Sequence, residues 1–104
     1  MWVVSWLKRL DIAQETFVRT EPSLALPMRA SEYVCRQLRF TPHPTEPVGW
    51  MIEQAGDDLF MFSSDYPHIE GGRNPLKRFE SSMPGISEPA KERFYTQNFV
   101  DLVG

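Results

Sequence analysis

The apolar run Leu59-Phe60-Met61-Phe62 passes directly into Ser63-Ser64-Asp65-Tyr66-Pro67-His68, so an extended segment ends in a carboxylate, a phenol and an imidazole within four positions. A short continuous apolar run closed by a turn is the pattern of a strand covered on both faces, as in a parallel α/β sheet. Residues just past the carboxyl ends of such strands face a shared mouth, where the sheet beneath holds them still. Asp65 is the first candidate for chemistry on that ground. The competing reading is that an Asp after a strand makes only an Asx turn, bonding the backbone ahead of Pro67.

A chain of 104 residues holds one domain or a piece of one, with no separate second domain and a modest core. Hydrophobic residues at 41% and charged ones at 24% are globular usage rather than disorder, so the chain is built to pack. The net charge is -3 and no basic run exceeds Lys8-Arg9 or Lys77-Arg78, so the sequence carries no footprint for nucleic acid or an acidic membrane. The single Cys35 excludes an internal disulfide and a cysteine-rich zinc site, and reads as a small buried hydrophobe in a reducing compartment. At the start, the positive charges Lys8 and Arg9 follow the apolar residues instead of preceding them, which is not a signal peptide. No segment approaches the ~20 apolar residues of a membrane span. A cytoplasmic protein is expected.

Trp2, Val3, Trp6, Leu7 and Leu10 recur at helical spacing and predict an amphipathic helix over the first ~17 residues, with the tryptophans in its packing stripe. Glu21 to Pro27 breaks it, since Pro22 and Pro27 lack amide donors. From Tyr33 to Phe40 the residues alternate, with Val34, Leu38 and Phe40 on one side, and Thr41-Pro42-His43-Pro44 closes the run: a strand is expected near 34–40. Thr45 is placed to cap a helix with Pro47 in its first turn, Trp50, Met51, Ile52 and Ala55 inward and Gly56 at its end. A second strand is expected near 59–63. Strand, short helix and strand form a parallel βαβ crossover, which would bring His43, Asp65 and His68 to one mouth. Gly71 to Pro75 is a turn cluster, and a short helix over Pro75 to Ser82 turns Leu76 and Phe79 inward. Ser87 starts a last helix packed through Phe94, Phe99, Leu102 and Val103.

Met51-Ile52-Glu53-Gln54-Ala55-Gly56 followed by Phe62-Ser63-Ser64-Asp65-Tyr66-Pro67-His68 resembles the carboxyl-terminal part of the amidohydrolase-related family, metal-dependent barrels that include aminocarboxymuconate-semialdehyde decarboxylase. Trp2 to Asp11 is similar to the helix after the sixth barrel strand, Arg39-Phe40-Thr41-Pro42 to the seventh strand, and Arg93 to Phe99 to the closing helix with its Asn. The resemblance implies a partial (β/α)8 TIM barrel, with about two parallel strands and flanking helices. It implies that Asp65, as the eighth-strand acid, ligates or stands beside a divalent metal, zinc first and manganese second, in the catalytic site of a hydrolase or decarboxylase. A metal lowers the pKa of its bound water to roughly 7, which supplies hydroxide near neutrality. His68, His43 and Arg39 are substrate-pocket candidates, and Arg39, if inward, suits a substrate carboxylate.

The family's histidines from the first, fifth and sixth strands are missing, while a catalytic metal usually takes three or more protein ligands and a whole barrel about 250 residues. The chain is therefore expected to be inactive alone, with the small-molecule substrate and the metal belonging to an intact enzyme. The alternative is a non-catalytic truncated domain acting as an interaction or oligomerisation module. Its open sheet edges and tryptophan helix would meet a second copy or a complementing segment that carries the missing strands.

Overall fold

The computed structural model describes residues 1–69 and 72–104, which form two compact units, Met1–Leu38 and Arg39–Gly104. Gly71 of the expected turn cluster lies outside the described residues.

In the first unit α1 spans Trp2–Thr20 and buries Val3, Val4 and Leu7, an i, i+1, i+4 set that makes one stripe. Trp2 is exposed and stacks at a tilt on Trp6, 5.9 Å between ring centres, so the tryptophan pair is only partly in the packing face. A 3-10 turn, Pro22–Leu24, follows. The next helix, α2, spans Ala30–Gln37 and packs on α1. Its first amides have no intrahelical acceptors, and α1 supplies them: Ala30 N–H donates to Gln14 Oε1 at 2.8 Å and Ser31 N–H to Asp11 Oδ1 at 2.9 Å. The Ser31 hydroxyl adds a bond to Asp11 Oδ2 at 2.7 Å, and Gln14 Nε2 donates to the Met28 carbonyl.

The expected strand near 34–40 is therefore mostly helix. Alternation over a few residues also satisfies helical spacing, and here Val34 is buried within α2 while the caps come from residues some 20 positions away, as Ser31 and Asp11 do.

In the second unit α3 spans Val48–Ala55 and buries Val48, Met51 and Ile52 at i, i+3, i+4. Gly49, on the same buried side, lets α3 approach the backbone at Ser82 and Met83: an added Cβ would meet the Ser82 carbonyl oxygen and lie 3.0 Å from Met83 Cα. Gly56, at φ 92°, ends the helix. Short α4, Pro75–Ser81, starts with Asn74 accepting from Lys77 N–H. The last helix begins after Ser87, which accepts from Ala90 N–H, and runs as α5 (Glu88–Glu92), a π-helical turn (Arg93–Gln97) and α6 (Asn98–Val103).

Between these helices the extended segments touch at one isolated parallel bridge, Phe40 with Phe60: Phe40 N–H donates to Leu59 O and Met61 N–H to Phe40 O, both at 2.8 Å. The described residues contain no strand, so the partial (β/α)8 barrel with two parallel strands is not what this chain builds. Backbone chemistry explains why the ladder stops at one rung. The next rung needs an amide at position 42, and Pro42 has none.

The far edge of the second segment is taken by the last helix. Phe62 N–H donates to the Phe94 carbonyl at 2.9 Å, and Asn98 Nδ2 donates to Phe60 O at 2.9 Å and to Asp57 O at 2.7 Å. A π-helical turn shifts carbonyls out of the ordinary i to i+4 ladder, and Phe94, inside that turn, is the residue whose carbonyl turns to Phe62. Phe62, Phe79, Phe94 and Tyr95 close the core with edge-on and tilted ring pairs, 5.1 Å between Phe79 and Phe94.

Glu80 clasps α4 to the last helix, accepting from Lys91 Nζ at 2.7 Å and from Tyr95 Oη at 2.8 Å. Partial burial first, then the bond to the Glu80 carboxylate, pushes the Tyr95 phenol well above its ordinary range. Because the folded pKa is raised, this contribution to stability is present below the unfolded tyrosine value of about 10 and is lost as pH climbs past it. An ultraviolet titration of the native protein against Tyr95→Phe should lack only the last phenolate to form. A difference that titrates in the ordinary tyrosine range would show that the clasp does not hold the proton.

A cleft at the Asp65 turn

Asp65 sits at φ 56°, a left-handed conformation that Asp tolerates better than most residues because its short side chain can serve the local backbone. The turn around it is bonded by others. Ser63 Oγ accepts weakly from Asp65 N–H at 3.4 Å, Ser64 Oγ accepts from Tyr66 N–H at 3.2 Å, and His68 N–H donates to the Asp65 carbonyl at 2.8 Å. The Asp65 carboxylate makes none of these bonds, so it is not the Asx-turn acceptor of the bland reading.

Asp65 lines an open cleft of about 200 Å³ with Thr41, Pro42, His43, Pro44 and Ser63. Asp65 and His43 are thus brought together, on the two segments joined by the Phe40–Phe60 bridge. His68 is exposed and outside the cleft lining. Arg39 is half-buried and also outside it; after Gln97 and Arg93, its charge is a further cause of the lowered Asp101 pKa. Thr41 and Ser63 belong to the cleft without having been singled out, and only their positions beside Pro42 and Asp65 hinted at it.

The His43 ring is positioned by Thr45. Thr45 N–H donates to Nδ1 at 3.2 Å, and the Thr45 hydroxyl is 2.7 Å from the same nitrogen. A backbone amide can only donate, so Nδ1 accepts in that contact. Among the described residues no three or more His, Cys, Asp or Glu groups are placed to hold a metal ion. A zinc or manganese centre with three protein ligands does not fit the residues present.

Asp65 also has no eighth strand to terminate, since the segment before it contributes a single bridge residue. The metal-dependent hydrolase or decarboxylase function expected from the resemblance is corrected on both grounds: neither the barrel strand nor the ligand cluster exists among the described residues.

No protein-family model and no curated protein matches the chain. Among solved structures it is similar to the crystal structure of an amidohydrolase, map2389c, from Mycobacterium avium subsp. paratuberculosis K-10, with 25% identity and a TM-score of 0.75. The likeness covers 96% of this chain and 26% of that one, so the chain spans about a quarter of its relative. This is distant homology to a protein of amidohydrolase fold, and the described residues of this chain carry helices and one bridge where the resemblance implied part of a barrel. Among the described residues no helix is long and apolar enough to cross a membrane.

Proposed function

We propose that this chain is a non-catalytic helical module that acts by associating with protein surface, first of all with a second copy of itself, in the reducing cytoplasmic setting that a lone Cys35 suits. The observation that carries the reading is α6. Of its six residues only Asn98 is buried, while Phe99, Val100, Leu102 and Val103 are 56%, 45%, 47% and 64% exposed. Clustered exposed apolar side chains mark interaction surfaces, whereas scattered ones need no explanation.

Charge favours a like partner. The one acid on α6, Asp101, is already held by Arg93 Nη2 at 2.9 Å and Gln97 Nε2 at 2.8 Å, so two copies can meet there without facing unpaired carboxylates. A two-fold interface uses the same patch on both partners, which an apolar face satisfies without further matching.

Sedimentation velocity tests this directly. The chain should dimerise at a concentration of about 100 µM or below, and exchanging the exposed pair Phe99→Glu and Val103→Glu should weaken association at least ~tenfold. A monomer throughout that range, or a double variant that associates as well as the parent, would remove the proposal.

A further inference from the structure

The second unit holds a larger groove, about 740 Å³, lined on one side by Pro44 to Pro47 and on the other by Arg73, Asn74, Lys77, Arg78 and the two serines that end α4. Three cations line it, Arg73, Lys77 and Arg78, and among the described residues none of them makes an ion pair. In a chain of net charge -3, with acids outnumbering bases, three basic side chains that share one concavity and make no ion pair among the described residues are out of proportion.

The groove is partly set in place. Arg78 lies over Gly72, its guanidinium carbon 3.6 Å from where a Cβ would stand, so the missing side chain lets the guanidinium rest against backbone. Asn74 Oδ1 accepts from Lys77 N–H at 3.3 Å, which leaves the amide NH2 of Asn74 as a donor on the groove. The one acid of the lining, Glu46, is engaged by His43 N–H at 2.8 Å.

We infer that this groove binds a dianionic phosphate monoester. Three cations against one carboxylate leave a formal charge of +2, which a dianion neutralises. Guanidinium forks match phosphate oxygens two at a time, and the lysine adds a compact charge. A single carboxylate would leave the groove unbalanced. The same chemistry arises from a free ester or from a phosphorylated serine on a protein, and the groove is independent of the α6 surface.

Isothermal titration of the full chain with glycerol phosphate and, separately, with a phosphoserine peptide tests it, with amide chemical shifts followed at Asn74, Lys77 and Arg78. Saturable binding tighter than about 10 mM is expected for at least one of them, with Lys77→Gln and Arg78→Gln together weakening it at least ~tenfold. Both side chains are exposed, so the variant keeps its fold, which its melting curve checks. Whichever ligand binds more tightly names the source of the phosphate. Unsaturable binding of both, a response reproduced by sodium chloride at equal ionic strength, or equal affinity in the variant overturns the inference. Self-association measured in parallel is expected to stay unchanged.

Discussion

Replacing Gly49 by alanine is expected to destabilise the second unit by about 2–3 kcal/mol, although the same change in an open helix would stabilise it by roughly 1 kcal/mol. The reversal of sign is what makes the test sharp. A Cβ on Gly49 would collide with the Ser82 carbonyl oxygen and stand 3.0 Å from Met83 Cα and 3.2 Å from Ser82 C. All three are backbone atoms, so no side chain can swing aside. Nor is that backbone loose: Ser82 N–H donates to Arg78 and Phe79 carbonyls, Met83 N–H donates to Glu80 O, and the Met83 side chain is fully buried. Urea unfolding followed by far-ultraviolet circular dichroism reads the effect as a lower midpoint at unchanged slope. A midpoint that rises would mean that α3 does not press against this turn.

Asn98→Leu is expected to cost about 3 kcal/mol, because it strips the donor from a buried carbonyl at Phe60 and a part-buried one at Asp57. Asn98 is wholly buried and gives both amide hydrogens away, one to Asp57 and one to Phe60. Leucine fills a similar space, so the loss isolates the hydrogen bonds from the packing. Asn98→Asp gives a second reading. A buried carboxylate facing two carbonyls prefers its proton, so its folded pKa lies above the unfolded value of about 3.9 and the variant loses stability as pH rises through that interval. Thermal melts of both variants against the parent, at acidic and neutral pH, carry the test. A leucine variant within about 0.5 kcal/mol of the parent would show that water or relaxation supplies the missing donors.

These two positions also mark what sequence can and cannot convey. Val3 and Leu7 in the first stripe, Met51 and Ile52 in α3, the Ser87 cap and the stop at Gly56 were legible, because each is decided by residues within a turn or two, whereas Trp2 and Trp50, expected inward, are exposed. The segment near 34–40 was not. Its alternation fits two periods, and the choice between them rests on Asp11 and Gln14 reaching over from another helix.

Burial at Leu59 and Phe60 was readable from their apolar character, but not what bonds the far edge of their segment at the Phe60 carbonyl and the Phe62 amide. A helix side chain and a displaced helix carbonyl stand there in place of a neighbouring strand. The pairing of Asp65 with His43 in one cleft could be anticipated from two extended segments running in parallel, while the placing of the His43 ring depends on a threonine two residues along. The basic groove escaped notice because Arg73 is separated in sequence from Lys77 and Arg78, and only the fold gathers them.

The π-helical turn at Arg93–Gln97 works as a spacer inside an otherwise regular helix. One residue advances a helix by roughly 100°, so whatever follows the turn is rotated by that amount relative to whatever precedes it. Phe94 can then face the core while Phe99 and Val103 face outward on the same rod. A single inserted residue thus sets the direction of everything after it, so that the buried Asn98 meets the Phe60 and Asp57 carbonyls while Phe99 and Val103 point away on the same short helix.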